Sequence, residues 1–293
     1  MTYIPILAVI LSLGASAAFA VEAPPEMDPT VKQRGPFYSG SIRWRSEEDV
    51  IGMKGIVLTL GKDADAFVCY DTELVRMSLG WVTDGKRFGL TVPRFNSPPP
   101  TVLGTPVFGT AKVPGWASDG KFSDPREGAR GPLPKAWAHH KGLYVHGRQV
   151  VLHYSVGAVD VLELPGFERV EKWPVFTRTF QTAQAARDLA LTVLHVPGAV
   201  LEPAESGMIV RNPASGQTFL VACEGGGGAT WEVREGSVIL KLESVVANKP
   251  FRLDIASLGK TNEAPNDALA LSPAPADLRE LTHGGAPLWP QPV

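Results

Sequence analysis

Cysteine is almost absent: Cys69 and Cys223 are the only two in 293 residues. Neither belongs to a C-x-x-C pair or a C-x-x-C-H run, which excludes a dithiol redox centre and covalent c-type haem attachment within this chain. Both sit in apolar runs, "FVCYD" and "FLVACEG", where a buried thiol packs as a small hydrophobe; an oxidising compartment would also permit one bridge between them. Clustered positive charge is missing too. The 28 Lys and Arg are balanced by 30 Asp and Glu, and no basic block exceeds a pair, so there is no cationic stripe for nucleic acid. Long apolar runs do not occur after the N-terminus, and no 20–50-residue period marks a propeller or solenoid.

Catalytic signatures are equally scarce. There is no G-x-S-x-G elbow and no H-E-x-x-H pair. The Gly225–Gly228 run lacks the Lys-Ser/Thr and the helix of a phosphate loop, because "ATWEVREG" continues as a strand; a flexible hairpin loop is expected there. The D-x-D-x-D-G calcium ladder is absent around Asp119, Asp124 and Glu127. No metal site and no cofactor are therefore expected.

The chain does hold abundant apolar residues, 44% of the total, with 30 Gly and 26 Pro to punctuate them. Period-two alternation dominates, as in "KGIVLTLG", "DLALTVLHV", "GSVILKLESV" and "PFRLDIASLG", each ending at a turn former. This predicts an all-β fold, an antiparallel β-sandwich with long irregular loops and at most one or two short helices. The best helical signal runs from Ser272 to Leu281, with a Ser cap, an early Pro and a Gly284-Gly285 stop. From Pro93 to Lys135 only "TPVFGT" resembles a strand; Phe95, Val107, Phe108, Trp116 and Phe122 should anchor a packed loop.

Residues 1–20 read as an export signal: an apolar run from Ile4 to Leu13, then Ala18-Phe19-Ala20 as an A-x-A cleavage pattern. Met1-Thr2-Tyr3 supplies no positive charge, so an uncleaved anchor is the alternative. No Cys follows the cleavage point to accept a lipid. The expected organisation is a signal peptide (1–20), a flexible N-terminal segment (21–34), a β-sandwich domain (35–260) and a Pro-rich C-terminal segment with a short helix (261–293). The mature protein is expected in the periplasm or secreted, with no membrane span after cleavage.

Four of the six histidines lie in "KAWAHHKGLYVHGRQVVLHY". His146-Gly147-Arg148-Gln149 fits a type II′ hairpin turn, which pairs Val145 with Val150, Leu143 with Leu152 and Gly142 with His153. Leu143, Val145, Val150, Leu152, Tyr154 and Val156 then form a core face. His140, Tyr144, His146, Val151, His153 and Ser155 share the other. In that register His146 and His153 stand roughly 13 Å apart. His140 and His153 are diagonal neighbours, roughly 7–8 Å apart, and are the candidate acid–base residues. Trp81, Trp116 and Trp137 lie in or beside turn-rich segments and, with Tyr144, offer aromatic faces for a glycan or a partner protein. Burial at the sandwich ends is the alternative for the tryptophans.

The runs "KGIVLTLG", "CYDTELVRMSLGW" and "GPLPKAWAHHKGLYVHGRQVVLHYSVGAVDVLELPG" resemble an uncharacterised N-terminal domain of large exported planctomycete and verrucomicrobial proteins. Those proteins often also carry propeller-like dehydrogenase-type and c-type haem-binding regions. Asp71, Arg76, Trp81 and the stretch Trp137 to Tyr144 carry most of the likeness, which extends over about Gly35 to Pro290. The resemblance implies no catalytic residues. It implies a module separated from its usual neighbours, either a fragment or a free-standing relative.

Three functions are consistent with these features. The first is a non-catalytic exported module that binds a glycan or docks to a partner protein. The second is a sugar-active enzyme, mutarotase-like or a hydrolase, using His140 and His153. The third is a scaffold for a haem-bearing redox partner.

Overall fold

The computed structural model describes residues 35–45, 49–85, 88–91, 98–261 and 269–285. The expected signal peptide, the segment 21–34, Phe95, and residues 262–268 and 286–293 lie outside them. Among the described residues sixteen strands follow one another. β1 (Phe37–Arg43), β2 (Val50–Leu60), β3 (Ala66–Asp71), β4 (Arg76–Val82) and β5 (Thr105–Gly109) pair in chain order as one antiparallel sheet. Next come β6 (Ala138–His146), β7 (Gln149–Val156), β8 (Val159–Val170), β9 (Trp173–Thr182) and β10 (Ala186–His195). The last six are β11 (Val200–Ala204), β12 (Gly207–Arg211), β13 (Gln217–Glu224), β14 (Gly227–Arg234), β15 (Ser237–Val245) and β16 (Phe251–Lys260). Strands β6 to β16 form an eight-stranded sheet in the order β11-β12-β13-β16-β9-β8-β7-β6 and a three-stranded sheet, β10-β15-β14.

Among the described residues no sheet closes into a barrel, and the fold is an all-β sandwich. The two smaller sheets are linked where Gly115–Ala117 bonds to β10, through Thr192 N–H to Gly115 O at 2.8 Å and Ala117 N–H to Ala190 O at 2.9 Å. Together they face the eight-stranded sheet. One apolar core joins all three, with Leu58, Val68 and Tyr70 from the first sheet, Phe176, Phe180 and Leu253 from the second, and Leu191 and Leu240 from the third. Gly115 permits this junction, because a Cβ there would lie 2.1 Å from the Val75 carbonyl oxygen.

Two features differ from the sequence expectation. Strands β2 to β4 are not half-buried: Val57, Phe67, Cys69 and Trp81, on the face away from the main core, are covered by Leu90 and Val102. Phe88, Leu90 and Val102, between β4 and β5, lie over that face. The Gly225–Gly228 run is not a hairpin loop either, since β13 and β14 belong to different sheets and the glycines carry the chain between layers. Gly228, with φ +62°, lies beneath the Glu243 carboxylate.

The C-terminal segment packs on the outer face of the eight-stranded sheet. Its only helical turn among the described residues is 3-10, Leu278–Thr282, capped by Asp277, which accepts from Arg279 N–H at 2.9 Å. The expected Ser272 cap instead donates its hydroxyl to Glu168 at 3.0 Å, and Pro273 and Pro275 lie in the extended stretch that follows. Leu278 is fully buried against Val151 and Leu164. Both cysteines are free thiols.

Candidate functional site

The β6–β7 hairpin has the expected turn and the expected pairing of Gly142 with His153, Leu143 with Leu152 and Val145 with Val150. Gly147 supplies the positive φ, +61°, that opens the turn. Beyond Gly142 the register slips. Lys141 is an extra residue, so His140 pairs with Tyr154 and His139 with Ser155. The bulge turns His140 to the core side and leaves His153 on the outer side. The two histidines expected to share a face therefore stand on opposite faces of the sheet. Val145, expected in the core, is 37% exposed near the end of β6, the edge strand of its sheet.

On the inner side, His140 lies against Tyr70, ring centroids 5.6 Å apart. Its buried Nδ1 has no hydrogen-bond partner. Burial, with smaller contributions from the charges of His139 and His153, pushes its pKa down to about 4. Tyr70 stacks on Tyr154, and the Tyr154 hydroxyl donates to Glu163 Oε2 at 2.7 Å. Arg178 donates to the same carboxylate, from Nε to Oε1 at 2.7 Å and from Nη2 to Oε2 at 3.2 Å. Glu163 and Arg178 are 0% and 2% exposed, a paired charge inside an apolar core. Tyr70, Tyr154, Glu163 and Arg178 are fully buried and join the first sheet to the eight-stranded one, while His140 is half-buried at their margin.

On the outer side, His153 Nε2 lies 3.3 Å from Asp160 Oδ1 and stacks beside Tyr144. Lys141, projecting from the bulge, also pairs with Asp160, and that hydrogen bond is the main cause of the depressed Asp160 pKa. His146 Nδ1 is 2.7 Å from the His283 carbonyl oxygen. The imidazoles thus have separate partners. Among the described residues no three His, Cys, Asp or Glu gather in a metal-binding group. Asp124 is held by Arg126, whose hydrogen bonds lower its pKa, and Asp119 sits at the tip of the Ser118–Lys121 turn.

The aromatic candidates also divide. Trp81 is 0% exposed, stacked on Phe67, with its indole N–H donated to Gly89 O at 3.0 Å. Trp116 is 1% exposed and meets Phe180 edge-on. Neither has a face to offer a ligand, since each plugs an apolar layer. Tyr144 is 36% exposed on the outer face. Trp137 is half-buried and held by its indole N–H, which donates to Trp116 O at 2.8 Å.

Trp137 borders an open cleft of about 780 Å³ between the Ser118–Lys121 turn and the three-stranded sheet. Phe122 adds a second aromatic wall, and Asp119, Arg187, Asp188 and Glu243 bring charged groups to it. Arg234 and Lys241, also on the rim, are engaged with Glu232, and Arg234 additionally donates to Gly120 O at 2.9 Å, fastening the turn to β14. Asp188 adopts φ +54° and is exposed at the cleft beside Glu243. The sequence singled out Trp137, and Phe122 only as an anchor of the packed loop, whereas here it is half-exposed at the cleft; it did not mark Arg187, Asp188 or Glu243. They come from segments up to about 120 residues apart, and no local pattern marks them.

Residues 68–163 match a family described as "Domain of unknown function (DUF6797)". That span runs from β3 to Glu163 on β8 and includes Trp81, Trp116, Trp137, Tyr144 and both candidate histidines. No curated protein matches the chain. A solved structure titled "Putative kojibiose phosphorylase from human microbiome" matches with a TM-score of 0.32 and 8% identity. The match covers 76% of this chain and 33% of that one, so the chain spans about a third of its length. Likeness at that level carries no argument about fold or activity.

Proposed function

We propose that the protein is an exported, non-catalytic β-sandwich module that binds a glycan in the cleft beside Trp137. The observation that carries this reading is the pairing of two half-exposed aromatic walls, Trp137 and Phe122, with a rim of carboxylates and a guanidinium. Aromatic faces pack against the C–H faces of sugar rings, and flanking charged groups hydrogen-bond the hydroxyls. Trp137 is pre-set for this, because its indole N–H is already satisfied within the protein. The signal-like N-terminus supports an extracytoplasmic location. Among the described residues no helix is long and apolar enough to cross a membrane.

The separation of His140 from His153 removes the geometric support for an enzyme in which the two act together. Docking of a partner protein, including a haem-bearing one, draws on the sequence resemblance alone.

Isothermal calorimetry against a glycan panel tests the reading. At least one oligosaccharide should bind saturably, with affinity reduced about tenfold or more in Trp137→Ala and in Phe122→Ala, as for truncation of a central aromatic anchor. A panel without saturable heat, or binding indifferent to both substitutions in folded variants, would overturn it.

A further inference from the structure

We propose that Arg234 is the positioning residue of the Trp137 cleft: it clips the Ser118–Lys121 turn to β14 and so holds Phe122 at the wall where a sugar would stack. Its effect on binding rests on the glycan reading of the cleft, whereas its effect on the turn does not.

The two aromatic walls are held in different ways. Trp137 is tied through its indole, through its own main-chain N–H to Pro134 O at 2.8 Å, and through its carbonyl, which accepts from Gly157 N–H at 2.7 Å. Phe122 makes no main-chain hydrogen bond among the described residues. It follows a two-residue turn in which Asp119 and Gly120 both have positive φ, +49° and +71°, as a type I′ hairpin requires. Ser118 and Lys121 exchange N–H···O bonds of 3.0 and 2.9 Å across that turn. Ahead of the turn, Ala117 is bonded to β10; beyond Phe122, Asp124 is held by Arg126. Between these two anchors the tip is tied to β14 by Arg234, whose Nη1 donates to Gly120 O at 2.9 Å.

Arg234 is itself well placed for this. It ends β14 and pairs with Ser237 across a second I′ turn, whose Glu235 and Gly236 have φ +48° and +79°. Glu232, two residues back on the same face of the strand, lies 2.5 Å from Arg234 Nε and 2.5 Å from Lys241 Nζ. That carboxylate fixes the direction of the guanidinium and leaves Nη1 for Gly120. The planar fork serves both partners at once, which a single ammonium would not do in this geometry. The Arg234 side chain is 48% exposed, so these bonds add little to global stability. What they remove is freedom of the turn. An unclipped Phe122 has to be ordered when a sugar arrives, and that cost appears as lost affinity.

Hydrogen exchange in the unliganded protein tests the clip, read at the Lys121 amide, which bonds Ser118 O across the turn. Arg234→Ala should speed exchange there about fivefold or more, while the Leu240 amide of β15 and the melting temperature stay nearly unchanged. Calorimetry with cellohexaose, maltohexaose, xylohexaose and mannohexaose tests the consequence as a double-mutant cycle. A hexasaccharide that binds wild type should bind Arg234→Ala about fivefold more weakly. In a Phe122→Ala background the same substitution should have no further effect. Unchanged exchange at Lys121 would overturn the proposal. So would a loss that persists in full without the Phe122 ring, because Arg234 would then touch the sugar itself. If no hexasaccharide binds wild type, the glycan reading is what fails, and the exchange result still decides whether Arg234 holds the turn.

Discussion

At the scale of single residues, His140 shows how burial sets protonation. Its folded pKa, about 4, lies below the ordinary histidine value, so the native state prefers the neutral ring. The unfolded chain takes up a proton near pH 6.5 and the folded chain does not. Stability should fall as the pH drops from about 6.5 to about 4, and this contribution should level off below. Asp254, whose raised pKa favours the protonated native form, acts in the opposite sense over part of the window, so the informative quantity is a difference. Melting curves of wild type and His140→Gln between pH 7 and pH 4 should show a shallower acid loss in the variant. Parallel curves would contradict the assignment. The Glu163–Arg178 pair leads to a second expectation. Glu163→Gln leaves a buried guanidinium uncompensated and should cost about 3–5 kcal/mol in urea unfolding. Tyr154→Phe leaves the pair intact and should cost only about 1–2 kcal/mol. Equal losses would show that the pair does not carry the charge balance of the core.

At the scale of elements, the β6–β7 hairpin separates what sequence reveals from what it hides. The turn was legible because Gly147 is the residue a II′ turn requires and its flanks alternate cleanly. The bulge at Lys141 was not. A lysine before a glycine carries no mark of a residue pushed out of the ladder, yet it moves His140 from one face to the other. The same limit explains the glycine run at 225–228, since its composition suits a hairpin and an inter-sheet crossing equally. Deletion separates the bulge from regular positions. Removing Lys141 takes out the extra residue, keeps His140 opposite Tyr154 and sacrifices only an exposed ion pair, so the fold should survive with a loss of about 1 kcal/mol or less. Removing Leu143 reverses the facing of every residue from Ala138 to Gly142 and should prevent stable folding. Chemical denaturation of the two deletions checks this; comparable losses would contradict the register.

At the scale of the whole molecule, alternation and turn density made the sandwich legible, while the division into three sheets depends on long-range contacts that no short window contains. The tryptophans illustrate the difference. The turns around Trp81 and Trp116 leave exposure to a ligand and burial at the sandwich ends equally open in sequence; Leu90 and Val102 bury the first and the Gly115–Ala117 junction holds the second in the main core. The shared core also predicts that the described sandwich unfolds as one cooperative unit, with tryptophan fluorescence and far-ultraviolet circular dichroism giving coincident transitions. Separate transitions would show that the five-stranded sheet folds independently. The functional account rests on Trp137 being the aromatic that meets solvent at a cleft. Nuclear magnetic resonance of indole N–H groups during titration with a panel-selected oligosaccharide tests this most directly. The account predicts a saturable shift of the Trp137 signal, with those of Trp81 and Trp116 nearly still; an unmoved Trp137 signal with perturbation at Tyr144 and His153 instead would contradict it.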